Sequence, residues 1–304
     1  MRFLGLPMRA SAIRFLSTCR FSRRLAAAFW EKTVQIWDLD KREQVGQFDT
    51  GRAGGSNRVH LDPKGERGVV AAWAAGARGG VACYEIPTGK LIWHRAELRH
   101  AQGVSFSTDG ESVWFEPNEG RVQRLDALTG NTIETLTGIK HIHMNHYSSE
   151  VLLEKRSGGY VLRGVKDIAI PTITFAILDV AFGPESLCLT ESTGPVRCLD
   201  CRSGVELWRY EPAKNNHVLR LWYRELDGHY YGVEWQYHSG GPHKLLCFAG
   251  GSGRVEEICQ LDSWEEAVCG GLDCLVASSG EVVSLSNGKL IGRLDFPQRE
   301  YPDK

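Results

Sequence analysis

The sequence predicts an all-β chain, a single seven-bladed β-propeller of four-stranded antiparallel blades spanning residues 1–304. Three observations predict it. A hairpin unit recurs along the chain, its copies are spaced by about one blade, and two further strand-like runs precede almost every copy.

The hairpin unit comes first. It runs apolar-x-apolar, then a turn of the type L-D-x-x-T-G, then an apolar-rich strand. The best copies are VQRLDALTGNTIETL from Val122, VRCLDCRSGVELWRY from Val196 and VACYEIPTGKLIWHR from Val81. Weaker copies start at Val34 and Val282, and two worn ones at Leu245 and Tyr160. Alternation on both sides of the turn turns one face of each strand toward a core. Asp126 and Asp200 are placed to accept hydrogen bonds from amides within the turn. Gly89, Gly130, Gly204 and Gly288 stand where φ is expected to be positive.

The spacing comes second. The turn-glycine positions fall at 42, 89, 130, about 166, 204, 253 and 288, which are about 35 to 49 residues apart. This brackets the ~40–45 residues of a propeller blade. The preceding runs complete the blades. In the third, GVSFS and SVWFE flank the turn Thr108-Asp109-Gly110 and lead into the hairpin. The expected blades are approximately 11–49, 57–98, 101–137, 140–176, 178–211, 217–261 and 265–296. Radial closure leaves only short sheet edges. Trp37, Trp93, Trp114 and Trp208 lie in strands and are expected to wedge between neighbouring blades. The fourth blade is the poorest in pattern, and Pro171 in its last strand implies a sheet edge. The two ends belong to no blade, and one could latch the ring with an outer strand.

Composition narrows the function. The formal net charge is −1, with 42% hydrophobic and 24% charged residues. No global basic field exists to hold a nucleic-acid backbone. No run approaches the ~18–20 apolar residues of a membrane span. Nine cysteines, an odd number without blade periodicity, sit largely in alternating apolar runs. They read as small buried hydrophobes in a reducing cytoplasm. The Arg-rich first thirty residues resemble an organellar transit peptide. From about Ser11, however, they fit the repeat and read as folded strand, and no continuous apolar stretch suggests a secretory signal.

Two resemblances follow from quoted residues. The segment RFSRRLAAAFWEKTVQIWDLDKREQVGQF, with Trp37-Asp38, resembles a WD repeat, although the Gly-His and buried Asp of the strongest such repeats are not evident. The L-D-x-x-T-G turns with a following Trp, best seen from Leu199 to Trp208, resemble quinoprotein-type (PQQ-like) repeats. Both imply a propeller. Quinoprotein dehydrogenases commonly carry pyrroloquinoline quinone, calcium and two adjacent cysteines. This chain has no adjacent cysteine pair, so no cofactor is expected.

Candidate sites are few. Cys198-Leu-Asp-Cys201, with Cys269 and Cys274, superficially resembles a four-thiolate zinc set. The pairs fall in different blades and read as packing. His141-Ile-His143-Met-Asn-His146 is more metal-like, because alternation places His141 and His143 on one side of an innermost strand, facing the channel. The alternative is an ordinary polar channel lining. Gly51 to Ser56 matches no phosphate loop, and no catalytic triad or carboxylate pair stands out. Loops on a rigid scaffold commonly carry binding. The longest, around residues 236–243, suggests a partner-binding patch of Trp235, Tyr237, His238 and His243, with Arg78 and Trp264 on the same face. The expected function is therefore a non-enzymatic scaffold or complex subunit in the cytoplasm, with another protein as partner. An enzyme, or a small-ligand or metal-binding propeller using the central channel, is the alternative.

Overall fold

A computed structural model describes residues 13–19, 21–29, 33–50, 58–72, 79–99, 101–117, 121–144, 151–155, 157, 159–163, 168–170, 177–192, 194–236, 243–261, 268–269 and 273–296. Seven antiparallel sheets stand in a ring, each built from four strands consecutive in sequence. They span residues 13–49, 58–95, 101–136, 139–170, 177–210, 216–261 and 268–293. The described residues contain no helix, and none is long and apolar enough to cross a membrane. The chain is a seven-bladed β-propeller.

The hairpins explain why these sequences fold locally. The turn carboxylate accepts hydrogen bonds from amides two and three residues on. Asp126 Oδ1 takes those of Leu128 and Thr129 at 3.1 and 2.8 Å. Asp200 Oδ1 takes those of Arg202 and Ser203 at 3.0 and 2.6 Å. Asp38 does the same for Asp40 and Lys41, both at 3.0 Å. Such Asx turns hold the chain while the next residue enters the left-handed region. The Thr129 hydroxyl, then its amide, holds Asp126 below the usual carboxylate range, so it stays charged.

After the turn, six of the seven outer hairpins carry a bulge at the same place, with one extra residue on the outer strand. The skipped residues are Val45, Ile92, Ile133, Leu207, Ile258 and Ile291. All but Ile258 are exposed. A bulge frees one residue from the ladder and increases local twist. The repeated aliphatics of the rim are therefore a by-product of the turn geometry.

The core is distributed between the blades. Seven apolar clusters occur, and each joins one neighbouring pair of blades. The indole of Trp93 crosses to blade three and donates to Ala127 O at 3.0 Å. Trp114 packs toward Val151 and Leu153 of blade four, and Trp208 toward blade six. Trp37 and Phe29 meet Phe296, with Trp37 edge-on at 5.4 Å. This contact packs blade one on blade seven, and among the described residues each of these two sheets consists of its own four consecutive strands. The two terminal segments, which the sequence suggests as a latch, lie outside the described residues. So does Pro171, the residue after the described strand Ile168–Ile170.

The turn residues take part in this packing. Gly130 has φ 72°, and a Cβ there would lie 2.7 Å from the Trp93 ring. Gly130→Ala is expected to cost about 2–4 kcal/mol, combining left-handed strain of about 1–2 kcal/mol with overpacking of about 1–3 kcal/mol. The shift of the urea midpoint measures it, and a loss under about 0.5 kcal/mol contradicts this packing.

The cysteines follow the same logic. Cys198 packs between blades five and six, and Cys201 between blades four and five. Cys274 packs between blades seven and one. Burial pushes the Cys83 and Cys198 thiols up to about 12 and Cys274 to about 11.

Candidate functional site

A four-stranded meander has two kinds of connection. Turns joining strands one to two and three to four fall on one face of the ring. Turns joining strands two to three, and the links between blades, fall on the other. Two concavities stand out in this frame, a groove on the first face and a cavity at the centre.

The groove lies between blades two and three and encloses about 1020 Å³. Blade two supplies Asp62 to Arg67 from its first turn and Glu85 to Ile92 from its third. Blade three supplies Asp109, Gly110 and Glu111 from its first turn, and Asp126 and Leu128 from its third. Arg67 ties the two blades together. Its Nε donates to buried Asp62 at 3.0 Å and its Nη2 to Gly110 O at 2.8 Å. That pair cancels in charge.

Five other carboxylates remain at the groove, those of Glu66, Glu85, Asp109, Glu111 and Asp126, against Lys64 and Lys90. None of the five is in an ion pair among the described residues. Burial works against the charge of Asp109, yet hydrogen bonds from the Ser107 hydroxyl and the Glu111 amide hold its pKa below the usual value. Among them stand three exposed aliphatics, Leu91 at 49%, Ile92 at 39% and Leu128 at 67%.

Sequence reading missed this groove, although a signal was present. One residue past the turn acid or its equivalent, the side chain is buried in every clear copy: Leu39, Ile86, Ala127, Cys201 and Leu285. Two residues past it stand Asp40, Pro87, Arg202 and Ser286. Among these copies, only the third blade has a large aliphatic at that position, Leu128.

No protein-family model matches the chain, and no curated protein matches it.

The central cavity encloses about 410 Å³. It is lined by first strands of four successive blades. These contribute Arg58 and His60, Val104 and Ser105, His141 and His143, and Ile177 to Val180. First strands are therefore innermost, and both histidines named from the sequence line the channel wall. Glu116, buried on the second strand of blade three, grips the first strand of blade four. Its Oε1 pairs with His141 Nδ1, and its Oε2 accepts the Ile142 amide at 3.4 Å. His143 Nε2 is buried without a hydrogen-bond partner among the described residues. Burial, then the neighbouring His141, pushes the His143 pKa down to about 4, so its ring is neutral at physiological pH. Asp179 has a structural task. Its Oδ2 accepts the Leu221 amide at 3.0 Å, beside Arg220, which sits at φ 58° in a bulge of blade six. Burial pushes that carboxyl up, against the lowering effect of Arg220. His146 lies outside the described residues.

The patch expected on the opposite face is described only in part. Trp235 is half-buried near the end of the second strand of blade six (His229–Gln236), tilted against His217 at 6.4 Å. His243 begins the third strand (His243–Ala249) and is only 4% exposed. Arg78, Tyr237, His238 and Trp264 lie outside the described residues, as does the glycine-rich segment 51–56.

Proposed function

We propose that this propeller, of WD-like or quinoprotein-like descent, is a non-enzymatic interaction module. Its groove between blades two and three docks a linear segment of another protein, rich in lysine or arginine and carrying aliphatic side chains. The observation behind this reading is the pairing of three exposed aliphatics with five carboxylates that lack ion-pair partners among the described residues. Carboxylates at such a rim steer a cationic segment into place and penalise acidic competitors. The aliphatics supply the area that desolvation rewards. A volume of about 1020 Å³ is at the upper end of small-ligand pockets and suits several side chains of an extended peptide. A scaffold with a cytoplasmic protein partner fits this chemistry.

The test uses a fluorescein-labelled peptide of alternating lysine and leucine pairs, and the same peptide with glutamate for lysine. Anisotropy is expected to show binding of the first, weakening steeply with salt, and none of the second. Glu66→Lys/Glu111→Lys and Leu128→Asp should each weaken binding about tenfold or more, equivalent to about 1.4 kcal/mol. Tyr237→Ala/His238→Ala, in the segment that the sequence alone suggests for a different patch, should leave it unchanged. Equal binding of both peptides, or indifference to the groove variants, overturns the reading.

A further inference from the structure

We infer that the channel wall at His141 and His143 is a binding site for a late first-row divalent metal ion, zinc, nickel or copper(II). This does not depend on the groove. The two histidines are two residues apart on one inner strand (Ile139–Met144) and both line the cavity. Imidazole nitrogen is a preferred ligand for these ions.

Two observations separate the pair from a merely polar wall. First, His141 engages the Glu116 carboxylate through Nδ1. That contact fixes the ring and directs Nε2 away from the carboxylate. Metal-bound histidines are commonly oriented in this way by a carboxylate on the other ring nitrogen. Second, His143 Nε2 is buried and makes no hydrogen bond among the described residues. A buried polar atom without a partner carries a desolvation penalty, which a coordinate bond would remove.

Among the described residues, no group of three His, Cys, Asp or Glu side chains is arranged to hold a metal. The described residues thus supply two ligands, and water or an anion would take positions left by the protein. Arg58 lines the same cavity. It opposes a bare cation and favours a bound ion that carries an anionic co-ligand such as chloride or a carboxylate.

The experiment starts from the full chain freed of metal by chelator and titrated with zinc, nickel and copper(II) by calorimetry. One equivalent is expected to bind at the site. The copper(II) form should show nitrogen hyperfine coupling from two imidazoles by electron paramagnetic resonance. His143→Ala should weaken binding at least a hundredfold and reduce the coupled nitrogens to one. Glu116→Gln should weaken it about 10–100-fold while both nitrogens remain, as expected of a positioning residue. His229→Ala, at the edge of blade six, should change nothing. Circular dichroism melts of the metal-free variants show whether each still folds. His143→Gln is the second variant should His143→Ala unfold. No stoichiometric uptake, or uptake unchanged by loss of His143 in a folded variant, overturns the inference.

Discussion

Trp208→Ala is expected to destabilise the propeller by about 3–5 kcal/mol, the range for a large aromatic removed from a packed core. Trp208 leaves the outer strand of blade five and is almost wholly covered by blade six. Its ring stacks on Phe248 at 5.9 Å with a 10° interplanar angle and meets Tyr230 edge-on at 6.2 Å. Its indole N–H donates to Gly250 O at 2.8 Å. The left-handed turn at Gly253 lies against the same ring, where a Cβ would come within 2.6 Å. The alanine variant removes apolar area and a hydrogen bond, and leaves a cavity that two rigid sheets cannot readily close. Trp208→Phe keeps much of the area and loses the donor, so about 1–3 kcal/mol is expected. Urea unfolding monitored by far-ultraviolet circular dichroism measures both. A loss below about 1 kcal/mol for the alanine variant contradicts the assigned packing.

Arg197→Met is expected to cost a similar amount, about 3–5 kcal/mol, by a different mechanism. Arg197 is a cation only 3% exposed in the third strand of blade five (Val196–Asp200). It bonds Glu191 at 3.0 Å, which is itself buried, and Glu206 at 2.5 Å. Removing the guanidinium leaves the buried Glu191 carboxyl opposite an apolar side chain. The double variant Arg197→Met/Glu191→Leu removes that buried carboxyl as well and should recover much of the loss. A double variant no more stable than the single one would show that the cost lies in packing.

The same cluster carries a pH dependence. Burial opposes the charge of Glu206, but hydrogen bonds from Arg209 and Arg197 outweigh it and hold its pKa below the ordinary glutamate value. A carboxyl lowered on folding contributes stability that is present above its unfolded pKa. That stability is lost as pH falls through the folded value. The contribution of Glu206 should therefore be complete above about pH 5 and vanish in acid. Glu206→Gln, compared with the parent across that window, isolates it.

Much of the architecture is legible in the sequence because it is local. Asp126 and its amide partners are two and three residues apart, and Gly130 N reaches back to Asp126 O at 2.8 Å. A reader of one chain sees such a unit directly. The turn position at 42 shows the limit. Gly89, Gly130, Gly204, Gly253 and Gly288 hold φ between 66° and 72°, and Arg42 holds 58° in the same place. The repeat aligns Arg42 with those glycines without saying how an arginine is accommodated. The structure answers through blade seven, where a Cβ on Gly292 would lie 2.5 Å from Arg42 Nε. At ring closure the side chain stands on the turn and the space on the neighbouring strand. Between blades two and three the reverse holds, with Trp93 on the strand and Gly130 on the turn.

The candidate sites divide on the same line. His141 and His143 are visible as a pair because two residues separate them. Their orienting partner Glu116 is 25 residues away in another blade, and no pattern points to it. The groove joins four turns of two blades. Leu128 is conspicuous only when the turns are laid over one another, and Glu66, Glu85 and Glu111 only when the blades are side by side. By itself the sequence determined the strand pattern, the number of blades, the Asx turns and the tryptophan wedges. These rest on contacts within a hairpin or on alternation along one strand. Only the tertiary structure decided which face carries a groove, which carboxylates gather there, which imidazole nitrogen is buried, and how blade one meets blade seven. Those properties belong to surfaces between blades, and such surfaces exist only once the ring has closed.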